Sequence, residues 1–127
     1  MKSGESQKAG PITDFLVKDH GRLEGLLQAA VAQVGSVDQG AYDQFRAGLL
    51  RHIGMEEKIL LPVAQRLRGG EPLSIAAKLR LDHGAIASLL MPPPTAAVIA
   101  TIRAVLKVHN TIEEGPGGLY ETCDELA

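Results

Sequence analysis

His52-Ile53-Gly54-Met55-Glu56-Glu57-Lys58-Ile59-Leu60-Leu61-Pro62 sets a histidine and a glutamate four residues apart in a segment of helical periodicity. On a helix, positions i and i+4 share a face with Cβ atoms ~5–6 Å apart, so His52 and Glu56 can aim at one point. The same pattern returns at His109-Asn110-Thr111-Ile112-Glu113-Glu114, again a histidine with glutamates at +4 and +5. The other two histidines also match one another, in Asp19-His20-Gly21 and Asp82-His83-Gly84. The chain thus reads as one phrase, Asp-His-Gly followed by His-x-x-x-Glu-Glu, written twice.

The segments around these motifs read as helices. Upstream of the quoted stretch, Tyr42, Phe45 and Leu49 lead into His52 and Glu56 at steps of three and four, with Ile59 or Leu60 continuing the stripe. This predicts a helix over about 41–61, with Pro62 kinking or restarting it because proline lacks the backbone donor. An earlier helix begins at Pro11 and Thr13, with Asp14 near the positive end of its dipole. Its stripe is Leu16, His20, Leu23, Leu27, Ala30 and Val34. Gly69-Gly70 closes the second helical region. A third helix is expected from Pro72 to Met91, with stripe Ile75, Leu79, His83, Ile86 and Leu90, ended by Pro92-Pro93-Pro94. Thr95 caps a fourth, with stripe Val98, Ile102, Val105 or Leu106, His109 and Glu113. Gly115-Pro116-Gly117-Gly118 breaks that helix, and Leu119 to Leu126 suits a last short one. Four helices on short connections predict an all-α, up-down-up-down four-helix bundle with a short C-terminal helical segment. Each long helix carries one histidine inside its apolar stripe.

Composition sets the outer bounds. With 127 residues the chain is expected to form one domain, residues 11–127, behind a disordered lead-in over residues 1–10. Aromatics are 3% and tryptophan is absent, so Leu, Ile, Val and Ala must fill the core, which suits helices. Net charge is −2 without a basic stripe, which argues against nucleic-acid binding. Cys123 is the single cysteine and has no partner for an internal disulfide. No apolar run approaches the ~18–20 residues of a membrane span, so a cytoplasmic protein without membrane contact is expected.

Two carboxylates and four imidazoles gathered inside a bundle call for a cation, because buried carboxylates are costly unless compensated. Glu56 and Glu113 bridging two ions, with two histidines on each ion, gives four protein donors per metal. A tetrahedral zinc takes four ligands in all, whereas iron or manganese accepts five or six from mixed imidazole and carboxylate donors. The count therefore suits a pair of iron or manganese ions sharing an oxo or hydroxo bridge, with zinc also possible. Remaining positions would take an exchangeable small ligand. Asp19 and Asp82 are candidate acceptors for imidazole N–H groups. Glu57 and Glu114 are expected to be surface charges, and Glu24 a further ligand only if it departs from the internal symmetry, since its counterpart is Ala87. Tyr42 and Tyr120 are expected to pack, although either hydroxyl can reach the pocket. Cys123 carries no expected role.

The pattern resembles the hemerythrin-like proteins, the HHE cation-binding domain. The resemblance runs from Asp19-His20 through His52-x-x-x-Glu56-Glu57 with Leu61-Pro62, then Asp82-His83 and His109-x-x-x-Glu113-Glu114. It implies a non-haem di-iron centre whose ligands are His20, His52, Glu56, His83, His109 and Glu113. The implied activity is binding of iron and of a small diatomic ligand, dioxygen or nitric oxide, for sensing, storage or scavenging. Oxygen-carrying hemerythrins have His-x-x-x-His on the third helix and an Asp five residues after the last histidine; here Ala87 stands at the second of those histidines and +4 and +5 are both glutamate, Glu113 and Glu114, which argues against dedicated oxygen carriage. Two other readings remain open at this point: a di-iron enzyme acting on peroxide, dioxygen or nitric oxide, and a metal-free or mononuclear helical interaction module.

Overall fold

The computed structural model describes residues 9–127, and the described residues are helical without a strand. Of the lead-in expected over residues 1–10, residues 1–8 lie outside the described residues. In order, the elements are α1 (Pro11–Ala30), α2 (Gln39–Met55), a π-helical turn (Glu56–Leu60), α3 (Leu61–Leu67), α4 (Ala76–Leu89), α5 (Ala96–Glu114) and α6 (Leu119–Leu126). α1, α2 with its continuation through α3, α4 and α5 are the four helices of the bundle, and α6 packs against α1, α3 and α5.

Local chemistry explains most of the boundaries. Asp38 caps α2 by accepting from the Ala41 N–H at 3.0 Å, and Thr95 caps α5 by accepting from the Val98 N–H at 3.1 Å. α1 starts at Pro11 as expected, but its first amides are capped from elsewhere. The Asp124 carboxylate, on α6, accepts from the Ile12 and Thr13 N–H groups at 3.0 and 2.9 Å. α1 also ends earlier than its stripe suggested: it stops at Ala30, and Val34 is fully exposed. A stripe position outside the helix has no face to share.

The second helix runs on past its expected end, through a π turn to Leu67. Pro62 accounts for this. In a regular α-helix its ring would strike the carbonyl four residues back, and the wider i→i−5 turn relieves that crowding. The extra residue in that turn also changes which side chain faces inward. Ile59 is 60% exposed, and Leu61 takes the buried position instead. α4 is shorter than expected, beginning at Ala76 and not at Pro72.

Two apolar layers occupy the ends of the bundle. One gathers Leu23, Leu27, Phe45, Leu49, Ile86 and Ile102; the other gathers Leu16, Leu61, Leu79, Leu119, Tyr120 and Cys123. Each buried leucine or isoleucine contributes ~1.5–3 kcal/mol, so these layers carry the fold. Between them, on every long helix, lies the polar layer.

Candidate metal centre

His20, His52, Glu56, His83, His109 and Glu113 meet in that middle layer, and all six are buried. Glu113 is 0% and Glu56 1% exposed. The six form two overlapping sets, His20, His52, Glu56 and Glu113 on one side and Glu56, His83, His109 and Glu113 on the other. Within each set the nearest ligand-type atoms lie within 4.8 Å of one another. The two glutamates are common to both.

The orientation of each imidazole is fixed from outside. His52 Nδ1 donates to Asp19 Oδ2 at 2.7 Å, His109 Nδ1 to Asp82 Oδ2 at 3.1 Å, and His83 Nδ1 to Glu57 Oε2 at 2.8 Å. His20 Nδ1 donates to Glu114. Each helix therefore anchors a histidine on a neighbouring helix, and the four pairings close a ring around the bundle. With every Nδ1 proton committed outward, all four Nε2 lone pairs face the centre.

There they face more acceptors. His109 Nε2 is 2.8 Å from Glu113 Oε2, His83 Nε2 3.3 Å from the same oxygen, and His52 Nε2 3.1 Å from Glu56 Oε2. Glu56 Oε1 lies 3.0 Å from His83 Nε2 and still has no hydrogen bond. The inward set is all acceptors when the rings are neutral, and a cation satisfies such a set where a proton on one ring satisfies only that ring. Without a metal, protons are what the cluster must collect. Burial disfavours a charged His83, but Glu113, Glu56 and Glu57 outweigh it and raise its pKa to about 10. His52 and His109 rise for the same reason, burial being outweighed by Glu56 and by Glu113 respectively. Burial likewise opposes ionisation of Glu113, yet His109, His20 and His83 hold its carboxyl below the usual range. Divalent metals bind this chemistry well: imidazole and carboxylate donors of mixed type suit iron or manganese.

Asp19 and Asp82 do accept imidazole protons, each from the histidine of the next helix and not from its own neighbour in sequence. Glu57 and Glu114 were expected at the surface, and this holds in part: Glu114 is exposed and Glu57 half-buried, and both also hold a ring, His20 and His83 respectively. A residue 100° from the inward direction lies along the seam between helices, where it keeps contact with solvent and still reaches a ring on the next helix. Glu24 lies outside the cluster, paired with Arg103 and Gln28. Tyr120, expected to pack, also reaches the cluster. It is 0% exposed, and its hydroxyl lies among His20, His52, Glu56 and Glu113. Its position depends on how the chain reverses after α5, which the spacing of the motifs does not encode. Tyr42 packs against Phe45, away from the cluster. Cys123, on α6, is buried in the apolar layer, and burial pushes its thiol up to about 11.

A groove of about 590 Å³ runs between α1 and α5, lined among others by Gly21, Glu24, Arg103, Lys107 and Asn110, and reaches His20 and Glu114. The space between the six central side chains and the neighbouring Leu49, Ile53, Ile86, Leu106 and Asn110 is only about 10 Å³.

A helical bundle with a buried imidazole–carboxylate layer defines a cation-binding bundle protein. The family model for the hemerythrin HHE cation binding domain matches residues 11–116, and the chain belongs to that family. Comparison with curated proteins and with solved structures gives no match. No helix among the described residues is long and apolar enough to cross a membrane.

Proposed function

We propose that the chain holds two iron ions, one at His20 and His52 and one at His83 and His109, with Glu56 and Glu113 bridging them. We assign the exchangeable positions to a small diatomic ligand, dioxygen or nitric oxide, bound for sensing, storage or scavenging. The observation that carries this reading is the ring of four outward Nδ1–H donors, which leaves four Nε2 lone pairs converging on two shared carboxylates. Bound iron would supply open coordination positions with net positive charge, suited to small electron-rich ligands. The chain's own part is to fix the imidazole tautomers, exclude bulk water and admit only small molecules. The α1–α5 groove supports entry from solvent. The small space among the six central side chains argues against an organic substrate.

Elemental analysis of protein loaded with iron without oxygen, with spectra before and after air exposure, tests the proposal. About two irons per chain are expected, with near-ultraviolet bands of a bridged ferric pair after exposure. His52→Ala or Glu56→Ala should bring the content below two; two irons retained in either variant would defeat the assignment. Sustained turnover of peroxide or nitric oxide would move the protein to the enzymes, and stoichiometric uptake keeps it a binding protein.

A further inference from the structure

The Tyr120 hydroxyl stands within 3.1 Å of four polar atoms: His52 Nε2 at 3.1 Å, His20 Nε2 at 3.0 Å, Glu113 Oε1 at 2.9 Å and Glu56 Oε2 at 2.5 Å. With the rings neutral, as a metal ligand requires, all four are acceptors, because the His20 and His52 rings already spend their Nδ1 protons on Glu114 and Asp19. A phenol has a single proton to share. Three of the four close contacts therefore lack a hydrogen, in a setting where unsatisfied acceptors are expensive. A shared cation resolves them together. Around a six-coordinate ion with bonds of ~2.0–2.2 Å, neighbouring donors stand about 3 Å apart, which is the spacing of the phenol oxygen from these four atoms.

The tyrosine is also one-sided. It touches His20 and His52, and none of its hydrogen bonds goes to His83 or His109. It sits on α6, beyond the 11–116 stretch that the family model matches. A reversal built from glycine delivers it. A Cβ on Gly118 would stand 2.4 Å from the Ile112 carbonyl oxygen and 2.9 Å from that of Glu113, and Gly117 adopts φ +71°. The first repeat has no such return: after Glu56 and Glu57 the chain continues along the same helix line into α3.

We propose that Tyr120 is a seventh ligand residue, ligating through its phenolate oxygen the metal held by His20 and His52, and that it makes the two metal positions chemically unequal. The inference rests on the cation-binding reading above. The oxygen–metal bond forms as the phenol proton leaves to solvent, with no change of oxidation state. The exchangeable ligand is thereby directed to the His83–His109 position, which has one protein donor fewer.

Full-length protein loaded with ferric iron tests it, because phenolate bound to ferric iron gives a broad visible charge-transfer band with tyrosinate modes in resonance Raman. The chain has two tyrosines, so the assignment can be isolated. The band is expected in the parent protein and in Tyr42→Phe, and is lost in Tyr120→Phe while the iron stays bound. A parent protein that binds iron without the band, or a band that survives Tyr120→Phe, overturns the proposal. Should Tyr120→Phe fold poorly, the band in Tyr42→Phe alone assigns it to Tyr120. Iron content below two per chain overturns the di-iron reading and with it the inequality of the two positions, and the band then still establishes the bond from Tyr120 to the metal at His20 and His52. Failure to take up any iron overturns both.

Discussion

Asp19, Glu57, Asp82 and Glu114 contribute no atom to the centre, yet they decide which nitrogen of each imidazole faces it. Removing the acceptor frees the Nδ1 proton and the ring can then adopt the other tautomer or turn. Asp19→Ala and Glu57→Ala should therefore each weaken iron binding ~10–100-fold while leaving helix content unchanged, read by competition with a chelator. Glu24→Ala is the control: it repeats the four-residue spacing after His20, but its carboxylate holds Arg103, so affinity should not move. Equal losses in all three variants would mean that general acidity, and not imidazole orientation, sets the affinity. At this scale the six central side chains were legible in the sequence, because i,i+4 spacing and stripe membership are properties of a single helix. The partners of their outward nitrogens were half legible. Asp19 and Asp82 were recognisable as acceptors, but Glu57 and Glu114 were read as surface charges.

Helices α1 and α6 depend on one another. α1 opens on Gly10, with no capping side chain of its own, and its first amides are satisfied by Asp124, more than a hundred residues away. The same carboxylate accepts from the Thr13 hydroxyl at 2.7 Å, and a Cβ on Gly10 would stand 2.3 Å from it. Asp124→Ala should cost ~1–2 kcal/mol, the usual worth of a helix cap, seen as a lower denaturant midpoint at unchanged slope. Thr13→Ala removes only the hydroxyl bond and should cost less. An unchanged midpoint for Asp124→Ala would show that water caps α1 equally well. Helix existence was readable from periodicity and breakers throughout. What was not readable was the passage through Pro62, where a π turn replaces the expected kink and exchanges Ile59 for Leu61 in the core.

For the whole molecule, the central layer ties stability to protons and metal. The folded pKa of His83 is about 10, above its ordinary 6.5. A raised histidine pKa contributes stability that is fully present below 6.5 and lost as pH rises toward 10. Glu113 is depressed below its ordinary 4.5, so its contribution is present above 4.5 and fades as pH falls below that value. The metal-free protein should thus be most stable between pH 4.5 and 6.5, and its urea midpoint should fall steadily between pH 6.5 and 10. Iron takes the place of those protons, so the loaded protein should release protons on uptake, unfold at a higher temperature, and lose much of the alkaline slope. A midpoint for the metal-free chain that is flat from pH 6.5 to 10 would show that the imidazoles are neutral without metal.

The sequence by itself determined the four long helices, the short terminal one and the six side chains that the bundle brings together. Each of these follows from spacing along one helix, from its breakers, or from a pattern repeated in the same chain. Only the tertiary structure decided which carboxylate holds which imidazole, that Asp124 caps α1, and that Tyr120 enters the central layer. Those contacts depend on how far one helix is rotated against the next, and on a chain reversal at Gly115–Gly118 that residue spacing within a helix does not record.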